Sequence, residues 1–155
     1  MSDFDASSFL ETVFTEPSIT ERLLCPPGEF PAIVDKVEAR AWTGKQDSSK
    51  SGVVMDIHWS IEDESVKQAC KRDKVTVRQS VMFSTNANGI GIDMEKAKAD
   101  VGFGRLRDAL GLNEGQFSPS MLNGRMAKVR VGHRSGTDKN GLPIVNEDVT
   151  AVTKY

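Results

Sequence analysis

Cationic side chains recur at alternate positions within runs that are otherwise apolar: Lys36 and Arg40, His58, Lys74 and Arg78, then Lys128 and Arg130. Lys45 and Lys50 punctuate one polar stretch between such runs, and Arg134 and Lys139 punctuate another. Groups two residues apart on an extended strand share a face, and a row of them can neutralise a phosphate backbone by displacing its condensed counterions. The complementary chemistry is a flat ring on which an unpaired base stacks, at roughly 1–3 kcal/mol per base. Aromatics make up only 6% of the chain. Trp59, Phe103 and Phe30 lie in apolar patterns and read as packing residues. Trp42 ends a strand-like run beside a basic segment where burial is hard to arrange, which makes it the leading candidate stacker. Phe83 and Tyr155 stand behind it, and Phe117 reads as a loop plug. A mixed, solvated strand face produces the same alternation, so the charge pattern alone leaves both readings open.

Strands must position these groups. In Val53–Ile61, Val53, Met55, Ile57, Trp59 and Ile61 alternate with Val54, Asp56, His58 and Ser60, the period of a half-buried and central strand. Gly28–Trp42 is a second such run, joined to the first through the polar tip Thr43–Gly52. Lys74–Phe83 is a third, with Gln79 among its apolar positions; a buried amide needs partners, which predicts a bulge or a ligand contact there. Arg125–His133 and Glu147–Lys154 complete five strands, with Arg134–Val145 between them as a loop. Helical signals fall at 62–73, from Asp93 through Ala99, from Phe103 to Leu110 before Gly111, and at Pro119–Leu122. The expected fold is mainly β: a five-stranded OB-like barrel with a helical insert between strands 3 and 4. A short helical leader, residues 1–27, precedes the barrel domain of residues 28–155. In the leader Phe9, Leu10, Val13 and Phe14 recur at helical spacing, and Ser18–Glu21 has the form of a capping box.

Charge is unevenly placed. Residues 1–30 hold six acids and one base, and residues 31–155 hold 19 bases and 16 acids, so an acidic leader precedes a mildly basic body. That asymmetry suits a polyanionic partner. No run of 18 apolar residues exists, and the first residues are acidic where a secretory signal is basic, so a cytoplasmic protein with no membrane partner is expected. Cys25 and Cys70 lie far apart outside any metal-ligand spacing and read as reduced structural thiols. His58 and His133 lack a third ligand, so no metal is expected. Gly89-Ile-Gly and Gly102-Phe-Gly fall short of a dinucleotide fingerprint, and no phosphate-cradling loop or nucleophile elbow is present. Asp35, Glu38 and Asp56 are the one carboxylate set that could be assembled for a nuclease, but Asp35 and Glu38 point to opposite faces of a regular strand. The expectation is therefore no enzyme and no cofactor.

Five segments together resemble small bacteriophage OB-fold single-stranded DNA-binding proteins. They are Gly28-Glu-Phe-Pro-Ala-Ile-Val, the Trp59 strand, Phe103-Gly-Arg-Leu-Arg-Asp-Ala-Leu-Gly-Leu, Leu122-Asn-Gly-Arg-Met-Ala-Lys-Val-Arg-Val, and a last strand entered through Asn146. The resemblance spans roughly residues 28–154 and implies sequence-nonspecific binding of single-stranded DNA in replication or recombination. Many such proteins end in an acidic tail that recruits replication partners, whereas this chain ends Val-Thr-Lys-Tyr, leaving the acidic leader as the candidate substitute. The leader's apolar face is also a candidate for homo-oligomer formation. A second reading gives the same barrel to a structural or adaptor protein, such as a phage accessory or virion component.

Overall fold

A computed structural model describes residues 5–18, 20, 22–44, 50–87 and 89–155. Five antiparallel strands, β1 (Gly28–Thr43), β2 (Ser51–Ile61), β3 (Thr76–Ser84), β4 (Met126–Thr137) and β5 (Pro143–Thr153), form one sheet in the order β3-β2-β1-β4-β5. Helix α1 (Glu64–Cys70) joins β2 to β3, and α2 (Met94–Lys98) and α3 (Val101–Ala109) fall between β3 and β4. The helix starts follow from their caps: the carboxylates of Asp63, Asp93 and Asp100 each accept from amides of the first turn, which have no partner within the helix. Past the end of α3, Gly111 takes φ +71°, the left-handed stop that glycine permits without strain. In the leader, a 3-10 turn at Ser8–Glu11 is the one helical segment among the described residues. The expected capping box at Ser18–Glu21 falls partly outside them.

The middle strand is β1, which pairs with β4 over Gly28–Ile33 and with β2 over Ala32–Thr43. The Trp59 strand, expected to be central, is internal and lies between β1 and β3. Its inward residues form the core: Trp59, Ile57 and Ile61 are fully buried with Val34, Val77, Val129, Leu106 and Leu122 around them. Gln79 is explained inside this core, because its side-chain oxygen accepts from the Trp59 indole at 2.9 Å. The β2–β3 register runs unbroken past it, so the expected bulge does not occur at this position.

A bulge does occur in β1. Val34 pairs with Trp59 and Lys36 with His58, so Asp35 is an extra residue on its strand. Ala32 and Val34 are buried, and a regular strand would place Lys36, Glu38, Arg40 and Trp42 on that same inner face. The extra residue reverses the parity and turns all four outward. β1 is therefore not the regular strand that separated Asp35 from Glu38 in the sequence argument.

The sheet is not closed. Its edge strands β3 and β5 approach within 8 Å between Cα atoms but form no ladder, and α3 packs against β5 at that gap. Residues of β3, β5 and α3 line a cavity of about 650 Å³ between them. Among the described residues no β3–β5 ladder closes the strands, so what the architecture shows of the expected fold is a mainly β, five-stranded antiparallel sheet. The last two strands also run longer than their apolar patterns: the expected Arg134–Val145 loop is a continuation of the β4–β5 ladder to Thr137 and Pro143, with a turn at 138–142. No described helix is long and apolar enough to cross a membrane.

Candidate nucleic-acid interface

Register fixes which side chains become neighbours on the outer face of β1, β2 and β3. Lys36, His58 and Arg78 form one cross-strand row, and Glu38, Asp56 and Ser80 form the next. Arg40, Val54 and Met82 form the third, and Trp42, Gly52 and Ser84 the fourth, at the root of the β1–β2 hairpin. Five residues anticipated from sequence, Lys36, Arg40, Trp42, His58 and Arg78, are brought onto one surface this way. Lys50 is exposed at the base of the hairpin tip, where its carbonyl accepts from Gly44 at 2.8 Å. Lys45 lies outside the described residues.

Trp42 lies against the Gly52 backbone. A Cβ at Gly52 would collide with the indole and with the Phe83 carbonyl, so only glycine allows this close approach. The ring is half-buried, and its indole nitrogen is buried without a hydrogen-bond partner. Trp42 is therefore neither sealed in the core nor fully free. Phe83, a lesser candidate, faces inward and meets Phe103 edge-on at 5.0 Å between centroids. Phe103 meets Phe117 at 5.6 Å, and the Arg107 guanidinium sits 4.7 Å from the Phe117 ring. Tyr155 is exposed beyond β5.

Glu38 and Asp56, two of the three carboxylates weighed for a nuclease, instead compensate most of these cations. Glu38 stands between Lys36 and His58, at 3.2 Å from Nζ and 3.0 Å from Nε2. Asp56, only 6% exposed, accepts from Arg40 Nε at 2.8 Å and from Ser80 Oγ at 2.6 Å. Burial alone would push the Asp56 carboxyl up, but hydrogen bonds from Arg40 and Ser80 and the charges of Arg40 and Arg78 outweigh it and hold the pKa below its ordinary value. Among the described residues Arg78 has no carboxylate within ion-pair distance. Leaving His58 aside, three cations on this face meet two carboxylates. The remaining excess of one is small but unpaired. These acids were visible at alternate positions of the same strands; what concealed their role was the register that sets Glu38 opposite Asp56.

The other anticipated cations do not join this surface. Lys74 precedes β3 and binds Asp35 Oδ1 at 2.7 Å, which lowers the Asp35 pKa chiefly through that hydrogen bond. Lys128 and Arg130 sit opposite Pro31 and Glu29, at the far end of β1 from Arg40 and Trp42, and Arg130 pairs with Glu29 at 2.9 Å. Arg134 lies on the extended β4–β5 ribbon beside Asp148 at 3.3 Å. The single track anticipated from sequence is thus divided between two ends of β1, because β4 pairs only with the first half of that strand.

The thiols and histidines have structural partners. Cys25 and Cys70 are free and buried; burial, then the nearby Glu147 charge, pushes the Cys25 thiol up to about 12, far from a reactive thiolate. His133 Nε2 hydrogen-bonds the Cys25 carbonyl at 2.6 Å. No cluster of three potential metal-ligating groups occurs among the described residues. Compared with protein-family models and with curated proteins, the chain matches none.

Proposed function

We propose that the chain binds single-stranded DNA without sequence preference through the outer face of β1–β3 and the adjoining hairpin. On this reading the sheet is an OB-type barrel, which the strand order and the proximity of β3 to β5 support. The observation that carries the proposal is the placement of Lys36 and Arg78 on the same face as Trp42, which packs against Gly52 at its edge, with Arg40 held on that face by Asp56. Cations there meet phosphates, and the indole receives a base. The associated role is protecting or organising single strands during phage-type replication or recombination, beside other proteins of those processes.

Anisotropy of a labelled oligonucleotide at two salt concentrations tests this. Lys36, Lys50 and Arg78, each neutralising one phosphate at about −0.7 per contact, set a log–log salt slope near −2.1, or roughly 20-fold weaker binding when salt rises fourfold. Absence of binding at low salt refutes the proposal. One observation favours the second reading, a structural or adaptor protein: Glu38 and Asp56 already match two of the three cations, as on a surface built for protein contact. Salt-insensitive capture of a protein with no oligonucleotide binding would select it.

A further inference from the structure

As β3 is an edge strand, its register decides which main-chain groups are left over. Ile61 donates to the Val75 carbonyl at 2.8 Å and Thr85 to the Ser51 carbonyl at 3.0 Å, with unbroken pairing between them. Alternate residues of an antiparallel ladder turn their N–H and C=O groups to opposite sides. The odd-numbered residues from Val75 to Thr85 therefore bind β2, and the even-numbered ones face the gap toward β5. Ser84 shows the consequence, because its carbonyl accepts from the Asp93 amide at 2.9 Å. Ser80 and Met82 have no main-chain partner on that side among the described residues, and such groups are satisfied by water or by a ligand.

Those two residues line the cavity of about 650 Å³ between β3, β5 and α3, which is within the usual size of ligand sites. Gln79 joins them. The Trp59 N–H can only donate, so the Gln79 oxygen is the atom it holds, and the Gln79 amide nitrogen is left to donate, with no acceptor among the described residues. Met82, 59% exposed, and Phe103 add apolar surface. On α3, Arg105 lines the cavity, is exposed, and has no carboxylate within ion-pair distance among the described residues. The other charges are engaged: Arg130 pairs with Glu29 at 2.9 Å, and Asp100 accepts from the Phe103 amide at 3.0 Å as the cap of α3. Ser80 and Met82 also stand in the second and third rows of the outer face, so the cavity is continuous with that surface.

Resting on the single-strand reading above, we propose that the cavity is a further nucleotide site for the same bound strand. One base leaves the outer face over the β3 edge and enters the cavity. Gln79 and the open main-chain groups of Ser80 and Met82 bond its rim, and Arg105 takes its phosphate. A base suits these walls because it carries donors and acceptors around its rim and apolar faces above and below. An extended peptide would match the open edge too, but a strand placed between β3 and β5 needs them about 9.6 Å apart, at ~4.8 Å per step. Their Cα atoms come within 8 Å.

Anisotropy with labelled oligonucleotides of increasing length, at two salt concentrations, tests this. Short ones cover only the outer face and give a slope near −2.1; once the strand is long enough to cross β3, Arg105 adds a contact and the slope moves to about −2.8. Arg105→Glu, at an exposed helix position, should hold the slope near −2.1 at every length. Thr150→Trp, at an exposed β5 position on the cavity wall, should weaken binding of long oligonucleotides about fivefold or more and leave short ones unchanged. A 2-aminopurine moved along the long oligonucleotide should be shielded from acrylamide at one position, and Thr150→Trp should remove that shielding. Circular dichroism verifies the fold of both variants. A wild type that binds no oligonucleotide overturns this inference together with the reading it rests on. Binding that depends on Trp42 and Arg78 but is the same in wild type, R105E and T150W at every length overturns this inference alone.

Discussion

Replacing Asp56 with Asn separates the roles that one carboxylate plays. Asp56 is nearly buried and ties Arg40 to the sheet, so the neutral isostere keeps the volume and loses the charge. Arg40 is more than half exposed, so solvent limits that ion pair to at most about 1 kcal/mol. Weakening of the Ser80 hydrogen bond, from charged to neutral acceptor, costs a further ~0.5–1 kcal/mol. Together these give a loss of about 0.5–2 kcal/mol, or roughly 1–8 °C in Tm for a chain of this size. Affinity for DNA should move the other way. Arg40, released from its carboxylate, becomes one more phosphate contact, binding up to about fivefold tighter at low salt and steepening the salt slope by about 0.7. Acid dependence supplies an internal control. The folded Asp56 pKa is below its ordinary value, so its stabilisation is fully present above about pH 4 and is lost as pH falls through the folded pKa. The stability gap between wild type and D56N should therefore be constant near neutrality and shrink below about pH 4. Thermal melts across pH and anisotropy across salt read both effects. Weaker DNA binding by D56N, or an unchanged salt slope, would refute the assignment of Arg40 to the phosphate path.

Charge reversal tests the division of the cations: R78E should weaken oligonucleotide binding and flatten its salt slope, and R130E, at the other end of β1, should leave both within error. Equal effects would mean that one track runs through both ends. Trp42→Ala removes the only indole on the outer face and should weaken binding about 5- to 150-fold, with a blue-shifted indole emission on DNA addition lost in the same variant. Gln79→Leu strands the buried Trp59 N–H and should cost about 1–3 kcal/mol in urea unfolding. In a Trp59→Phe background the same change should cost measurably less; equal costs would show that the 2.9 Å contact contributes nothing.

Much of the strand and helix pattern was legible in the linear chain. Alternation placed Trp59, Ile57 and Ile61 inward because side chains on a strand change face at each residue, and only one face was apolar enough to bury. Asp93 and Gly111 marked helix ends because the unpaired amides of a first turn and the left-handed residue after a last turn demand those residue types. In the leader the helical spacing of Phe9, Leu10, Val13 and Phe14 is realised only as a 3-10 turn at Ser8–Glu11, with Val13 and Phe14 beyond it, because those residues are left exposed, without the packing that holds a longer helix.

What the cations do together was decided elsewhere. Alternation is a property of neighbouring residues, but sharing a surface depends on register between strands far apart in the chain, and one inserted residue reverses a face. The extra residue at Asp35 turns Lys36, Arg40 and Trp42 outward, and pairing with β2 and β3 adds His58 and Arg78 to them. Pairing of β4 with the other half of β1 carries Lys128 and Arg130 away. The same pairings put Glu38 and Asp56 among the cations and Gln79 within reach of Trp59. Each of these outcomes needs two segments to meet, and no single segment encodes where its partner will lie.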